Sequence, residues 1–345
     1  MNEEQRLILE TTNRILIDLC TAEVINNSEA GSFARELWQT LSETGLTLAG
    51  FPESSGGSGG KIQDSLMVIR EAAKYGAPLP LAETFIAAHL LQSVGEPAGD
   101  APLTIAVGDF QIDSQSLLTG RADNVAFARW CKDVVFTASK NSRPVLCRVP
   151  TDQFEVSQAS NMAGEPRDGI SANFTIMEQQ IFEMSTDLSS ELQLLGAMTR
   201  SVMMAGALES ALELSVEYAL QRNQFGRPIA RFQAVQQQLA IFAGEVAASI
   251  RAADALVESA GRLDEMEVAV AKSRIGDAVG ISTDIAHQVH GAMGYTIEHT
   301  LNHRTRRLWC WRDEYGNERY WQQVLGKQIT AVSADELWPM IVASG

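Results

Sequence analysis

The chain has 345 residues, 45% hydrophobic and 20% charged, which excludes a disordered or collagen-like polymer and supplies material for two or three domains. It carries 27 Lys and Arg against 43 Asp and Glu, a net charge of −16, so nucleic acid is disfavoured as a partner. No apolar run approaches the ~18 residues that a membrane-spanning helix needs, and no membrane partner is expected.

The opening MNEEQRLILE has glutamates where a secretory signal would be basic, so the cytoplasm is the expected compartment. Cys20, Cys131, Cys147 and Cys310 are widely spread with no CxxC, as in reduced, buried thiols rather than a disulfide frame or a zinc site.

Three textures follow one another along the chain. Residues 1–100 read as an N-terminal helical domain, with apolar residues at helical spacing in Leu7, Ile8, Ile15, Leu16 and Leu19, in Phe33, Leu37 and Leu41, and in Leu66, Ile69 and Ala73. Pro52 to Gly60 is a loop, Tyr75 to Pro80 stops a helix, and Leu81 to Val94 starts another. Residues 101–187 read as a short antiparallel β domain, with strands at Leu103–Val107, Val134–Ala138, Val145–Val149 and Phe174–Met177, and a strand pair across Leu118–Trp130. Residues 188–345 read as a four-helix bundle, with helices at Leu192–Gln221, Ala234–Ala260, Asp264–Val289 and Glu318–Ser333. The fold class is mainly α with a small β domain.

Gly56 to Gly60 matches the G-x-S-x-G pattern of a nucleophile elbow around Ser58, but that pattern needs a strand–turn–helix in an α/β sheet, which is not expected here. The same stretch fails as a phosphate loop, because Ser55 replaces the first glycine and Ile62 the hydroxyl residue after Lys61. His287, His290, His299 and His303 cluster without a carboxylate-rich ligand pattern, so no metal is expected. Arg222-Asn223-Gln224-Phe225-Gly226-Arg227-Pro228 places a guanidinium, an amide and an aromatic ring where a helix ends at glycine. Alone it reads as a helix C-cap. It also suits a clamp on an anionic, planar cofactor, since the arginine fork gives a diphosphate two charge-assisted bonds.

Phe232-Gln233, a long helix, and Gln288-Val289-His290-Gly291-Ala292-Met293-Gly294-Tyr295-Thr296 follow, then the basic run Arg304-Thr305-Arg306-Arg307. The order R-x-Q-F-G-x-P-I, F-Q, Q-x-H-G-x-x-G-Y-T resembles the acyl-CoA dehydrogenase family. So do Leu37-Trp38, Glu43-Thr44-Gly45-Leu46, Pro52-Glu53 and Gly56-Gly57. The resemblance implies a helical, a β and a four-helix domain, FAD as cofactor, and removal of two hydrogens from Cα and Cβ of a CoA thioester. A glutamate takes the α-proton and the flavin takes the hydride. It further implies that a subunit lends its neighbour contacts to the FAD diphosphate and adenine. Those contacts fall on Arg222, Gln224, Phe225, Phe232, Gln233, Gln288, Gly291 and Ala292, with Asn317 added from the segment described next.

Three departures from the family stand out. The catalytic E-G-T triplet falls on Tyr315-Gly316-Asn317, with Glu314 one residue early, and the alternative base position, ten residues before the glycine matching Gly206, is Gly196. The β domain also lacks the T-E-P-x-x-G-S-D-like stretch that cradles the flavin ring. Trp309 to Gly316 adds to the likeness to the short, base-lacking subunit of heteromeric acyl-CoA dehydrogenases that act on steroid side chains. The expected assembly is therefore an α2β2 flavoenzyme of lipid and steroid degradation. In it a catalytic partner supplies the base and the flavin cradle, and an electron-accepting flavoprotein takes the electrons. The alternatives are a homo-oligomeric dehydrogenase using Glu314 or Asp313 as base, and a non-enzymatic helical scaffold.

Overall fold

A computed structural model describes residues 2–184, 188–296 and 299–343, with side chains to Met340. The chain divides into two compact units, Met1–Val68 with Pro78–Gln193, and Ile69–Ala77 with Leu194–Gly345. The expected boundary at residue 187 lies outside the described residues.

The first unit opens with helices α1 (Glu3–Leu19), α2 (Ala22–Glu29) and α3 (Arg35–Glu43), then most of α4 (Ile62–Tyr75), and α5 (Leu81–Ser93). Asn2 and Gln5 form a reciprocal capping box that starts α1, and Thr21 caps α2. The expected apolar stripes are buried at Ile15, Leu16, Leu37, Leu41 and Leu66, whereas Leu7 is exposed. α5 is buried on nearly every side from Leu81 to Leu91, including Glu83 and Thr84. The Thr84 hydroxyl donates to the Leu103 carbonyl and accepts from the Leu103 amide.

The β region contains β1 (Leu103–Ala106), β2 (Asp109–Ile112), β3 (Leu117–Ala126), β4 (Asp133–Lys140), β5 (Arg143–Pro150), β6 (Glu155–Ser157), β7 (Arg167–Thr175) and β8 (Ile181–Glu183). They form one sheet in the order β6-β7-β3-β2-β4-β5-β8, with β1 paired to β4. Most pairs are antiparallel, as expected, while β1–β4 and β2–β4 are parallel. Leu118–Trp130 is not a strand pair. It is the single strand β3, ended by Phe127 in a left-handed conformation at φ +55°. The strand expected at Phe174–Met177 is the tail of β7, which starts seven residues earlier at the buried Arg167 and Asp168. Phe110, Phe136 and Phe154 fill one core, with Phe110 and Phe136 centroids 4.5 Å apart and the partly buried Phe174 packed against it. Burying each such ring stabilises the unit by roughly 1.5–3 kcal/mol.

The second unit takes the end of α4, most of α6 (Ser189–Gln221), a two-residue hairpin of β9 (Asn223–Gln224) and β10 (Arg227–Pro228), and five helices. These are α7 (Gln233–Ser259), α8 (Glu265–His290), α9 (Leu301–Asp313), α10 (Glu318–Ile329) and α11 (Ala334–Ala343). α7 and α10 both pack on α8. The four long helices expected of the bundle are α6, α7, α8 and α10. α9 was not foreseen, and α10 ends at Ile329, four residues before Ser333.

The C-terminal turns of α4 are bound to α6 and α7 by charge. Arg70 reaches Asp254 at 2.8 Å and Glu209 at 3.3 Å, and Lys74 reaches Glu209 and Glu213, each at 2.8 Å. A Cβ on Gly206 would overlap the Arg70 carbonyl oxygen, so glycine here permits the close approach of α4 to α6.

Candidate functional site

Arg222 follows the last turn of α6, its amide donating to the Tyr218 carbonyl at 2.8 Å. The chain then reverses within four residues, pairing Gln224 with Arg227 and Asn223 with Pro228. Phe225 and Gly226 occupy the turn at φ +53° and +80°. Two successive left-handed residues match the right-handed twist of a tight hairpin, but a phenylalanine there is strained.

The Phe225 ring is 92% exposed, a poor place for an aromatic ring in an isolated chain. It lies edge-on to Phe232, centroids 6.1 Å apart, and Arg227 Cζ sits 4.3 Å over the Phe232 ring. Phe232 starts α7 without a side-chain cap, leaving that helix's positive N-terminal end open, with Gln233 exposed beside it. Arg222, Gln224, Phe225, Phe232 and Gln233 are thus gathered between the end of α6 and the start of α7.

α8 stops at Gly291, whose φ is +58° and around whose Cβ position nothing lies within 4 Å. A turn of 3-10 helix runs from Gly291 to Tyr295, and Gln288, Gly291 and Ala292 are all exposed. The ends of α6 and α8 are joined by Tyr218, which stacks on His290 with centroids 4.5 Å apart. His290 Nδ1 donates to the Ala286 carbonyl at 2.8 Å, and burial pushes its pKa down to about 4. His287 Nε2 lies 3.0 Å from the Thr305 hydroxyl, its ring stacks on Tyr295, and burial lowers its pKa.

Sequence reading missed Tyr218 and Arg227. An aromatic residue one turn before Arg222 was the available signal for the first. Among the described residues no group of three or more His, Cys, Asp or Glu side chains converges as metal ligands would, and no helix is long and apolar enough to cross a membrane.

The two positions where a catalytic glutamate was sought meet in space. A Cβ on Gly196 of α6 would overlap the ring of Tyr315. Tyr315 is left-handed at φ +55°, and Trp321 Nε1 donates to its carbonyl at 3.0 Å. Glu314 accepts from Arg200 Nε at 2.5 Å, and Arg200, 1% exposed, lies with its Cζ 5.5 Å from the Tyr315 centroid. Asp313 is exposed, and Asn317 caps α10 by accepting from the Tyr320 amide at 3.2 Å. Lys272, fully buried on α8, donates to the carbonyls of Arg312 at 2.6 Å and Trp311 at 3.2 Å. Desolvation pulls its pKa down to about 7, against the opposing pull of Glu314.

The residues at the α6, α7 and α8 ends fit an anionic cofactor carrying a flat ring: two guanidinia (Arg222 and Arg227), three amides, an open helix N-terminus, a bare glycine and an exposed aromatic. In the β region the link expected to help cradle a flavin is short. β1 and β2 are joined by Val107 and Gly108 alone, and a Cβ on Gly108 would overlap the Arg121 carbonyl.

Comparison with known proteins places these observations. The profile of the acyl-CoA dehydrogenase N-terminal domain matches residues 2–99, and that of the C-terminal domain matches residues 173–334. Acyl-CoA dehydrogenase IpdE2 of Mycobacterium tuberculosis is 25% identical over 312 residues, covering 87% of this chain and 89% of the relative. The crystal structure of the ChsE4-ChsE5 complex from Mycobacterium tuberculosis aligns with a TM-score of 0.84 at 22% identity, over 97% of this chain and 99% of that one. The Tcur3481-Tcur3483 steroid ACAD aligns with a TM-score of 0.83 at 20% identity, over 95% and 98%.

Proposed function

Because the chain belongs to the acyl-CoA dehydrogenase family, oxidoreductases acting on the CH–CH bond of acyl-CoA, we propose that it is the base-free subunit of a heteromeric member. It would lend FAD contacts to a catalytic partner in an α2β2 assembly. The observation that carries this reading is the contrast between its two half-sites. The hairpin assigned to the cofactor is exposed, while both base positions converge on one place that holds a tyrosine ring against a glycine.

When bound, FAD accepts the hydride removed from the thioester. Arg222 binds the diphosphate, with the open N-terminus of α7 adding a favourable field. Gln224, Gln233 and Gln288 supply amide hydrogen bonds, and Phe225 and Phe232 offer flat faces toward the adenine side. Gly291 and Ala292 leave the backbone approachable, and Asn317, the cap of α10, is added by the family resemblance. The partner supplies the glutamate and the flavin cradle, and an electron-accepting flavoprotein completes the cycle by family analogy. Two of the aligned structures are complexes of two differently named chains, and one is named a steroid ACAD, which supports a two-component enzyme with a bulky, steroid-like acyl group.

The self-sufficient alternative requires Glu314 or Asp313 as base. Glu314 would have to leave Arg200, breaking a close ion pair to a buried guanidinium. The test is purification of the tagged chain from its native host, with mass spectrometry of what accompanies it. Recovery of a second acyl-CoA dehydrogenase chain with bound FAD supports the heteromer. Recovery of the chain alone, yellow and active, rejects it.

A further inference from the structure

The Tyr315–Gly196 contact carries more than the loss of a base. Tyrosine in a left-handed conformation and glycine inside a long helix are each unfavourable local choices, and here they coincide at a single contact. Strained residues persist where their surroundings over-determine them. Three anchors do so. Lys272 holds the Trp311 and Arg312 carbonyls, Arg200 holds Glu314, and Trp321 holds the Tyr315 carbonyl. Arg200 also lies toward the Tyr315 ring, so the ring and the carboxylate beside it share one buried cation.

We propose that Tyr315 is a built-in stopper. Its ring, seated on Gly196, fills the space beside α6 in which a thioester would meet a base, and so excludes acyl groups from this chain's own bundle. All acyl binding in the assembly then belongs to the partner. This inference rests on the dehydrogenase reading for the identity of the excluded ligand, but not for the seating of the ring.

The experiment uses the purified assembly, with octanoyl-CoA as probe and free CoA as control, in isothermal titration. The wild type is expected to bind one octanoyl-CoA per pair of chains, and Tyr315→Ala one per chain, with at least a tenfold gain over free CoA at the new site. Should Tyr315→Ala fail to fold, Tyr315→Leu replaces it with the same expectation. Wild-type binding at one per chain, or unchanged stoichiometry in both variants, overturns the stopper.

A second measurement separates this failure from failure of the dehydrogenase reading. Gly196→Ala should lower the melting temperature in the wild type and be tolerated in the Tyr315→Ala background. Equal effects in both backgrounds overturn the seating of the ring, whatever the flavin content. Absence of FAD and partner, with the coupling intact, counts against the dehydrogenase reading alone.

Discussion

Tyr218 stacks on His290 with ring centroids 4.5 Å apart, and this contact ties the end of α6, where the exposed hairpin begins, to the end of α8, where the glycine turn begins. Two sequence motifs separated by α7 and nearly all of α8 are thereby brought together. His299 closes the cluster edge-on, 4.6 Å from His290 and 6.0 Å from Tyr218.

That stack depends on a neutral imidazole. Burial holds His290 at about 4, below the ordinary 6.5 of a histidine, and burial also lowers His287 and His299. The unfolded chain binds these protons first. The contribution to stability is therefore complete above pH 6.5, shrinks as pH falls, and is gone once pH passes below about 4. Urea unfolding should register a loss on the order of 2 kcal/mol between pH 7 and 4.5, and His290→Gln should flatten that dependence.

Arg222 is exposed and carries the only charge of the assigned cofactor contacts. Arg222→Ala should leave the melting temperature within about a degree and weaken FAD retention roughly tenfold or more, the range of a lost charge-assisted bond. Flavin absorbance per chain after gel filtration reads it directly, and unchanged flavin content would remove the residue from the site.

Glu314→Gln separates structure from chemistry. It replaces the charged acceptor of the buried Arg200 with a neutral amide, so stability should fall by about 1–3 kcal/mol. Turnover per folded assembly should remain within about twofold, because the base belongs to the partner. A loss of a thousandfold or more would instead mark Glu314 as the base.

Gly206 tests the crossing of α4 and α6. Gly206→Ala forces a methyl against the Arg70 carbonyl, and overpacking of this kind costs about 1–3 kcal/mol. Differential scanning calorimetry should show a drop of several degrees, with the Arg70–Asp254 and Lys74–Glu209 pairs weakened.

Much of this fold is written locally. α8 was legible to within a residue because Asp264 accepts from the Met266 and Glu267 amides at its start and Gly291 stops it. β7 reaches further back than its apolar tail suggests, because its first half opens with Arg167 and Asp168. Both are buried as members of ion pairs, Asp168 held by Arg129 at 2.5 Å and Arg167 by Glu165 at 3.1 Å, so the alternation of polarity is inverted there. α9 was missed for a related reason. Its arginines look like a solvated run, yet Arg304 and Arg307 are buried, bonded to the carbonyls of Lys74 and His303. The residues proposed to face the cofactor were picked out by motif order, but the meeting of Gly196 with Tyr315 could not be, because no periodicity links positions on α6 to a turn after α9.

The central claim is a division of labour between two chains, and an anaerobic titration with octanoyl-CoA tests it most directly. The chain expressed alone should carry no flavin absorbance and no response, while co-expression with its partner should give a yellow complex that bleaches on addition of the thioester. A yellow, bleaching preparation of this chain alone, inactivated by Glu314→Gln, would contradict it.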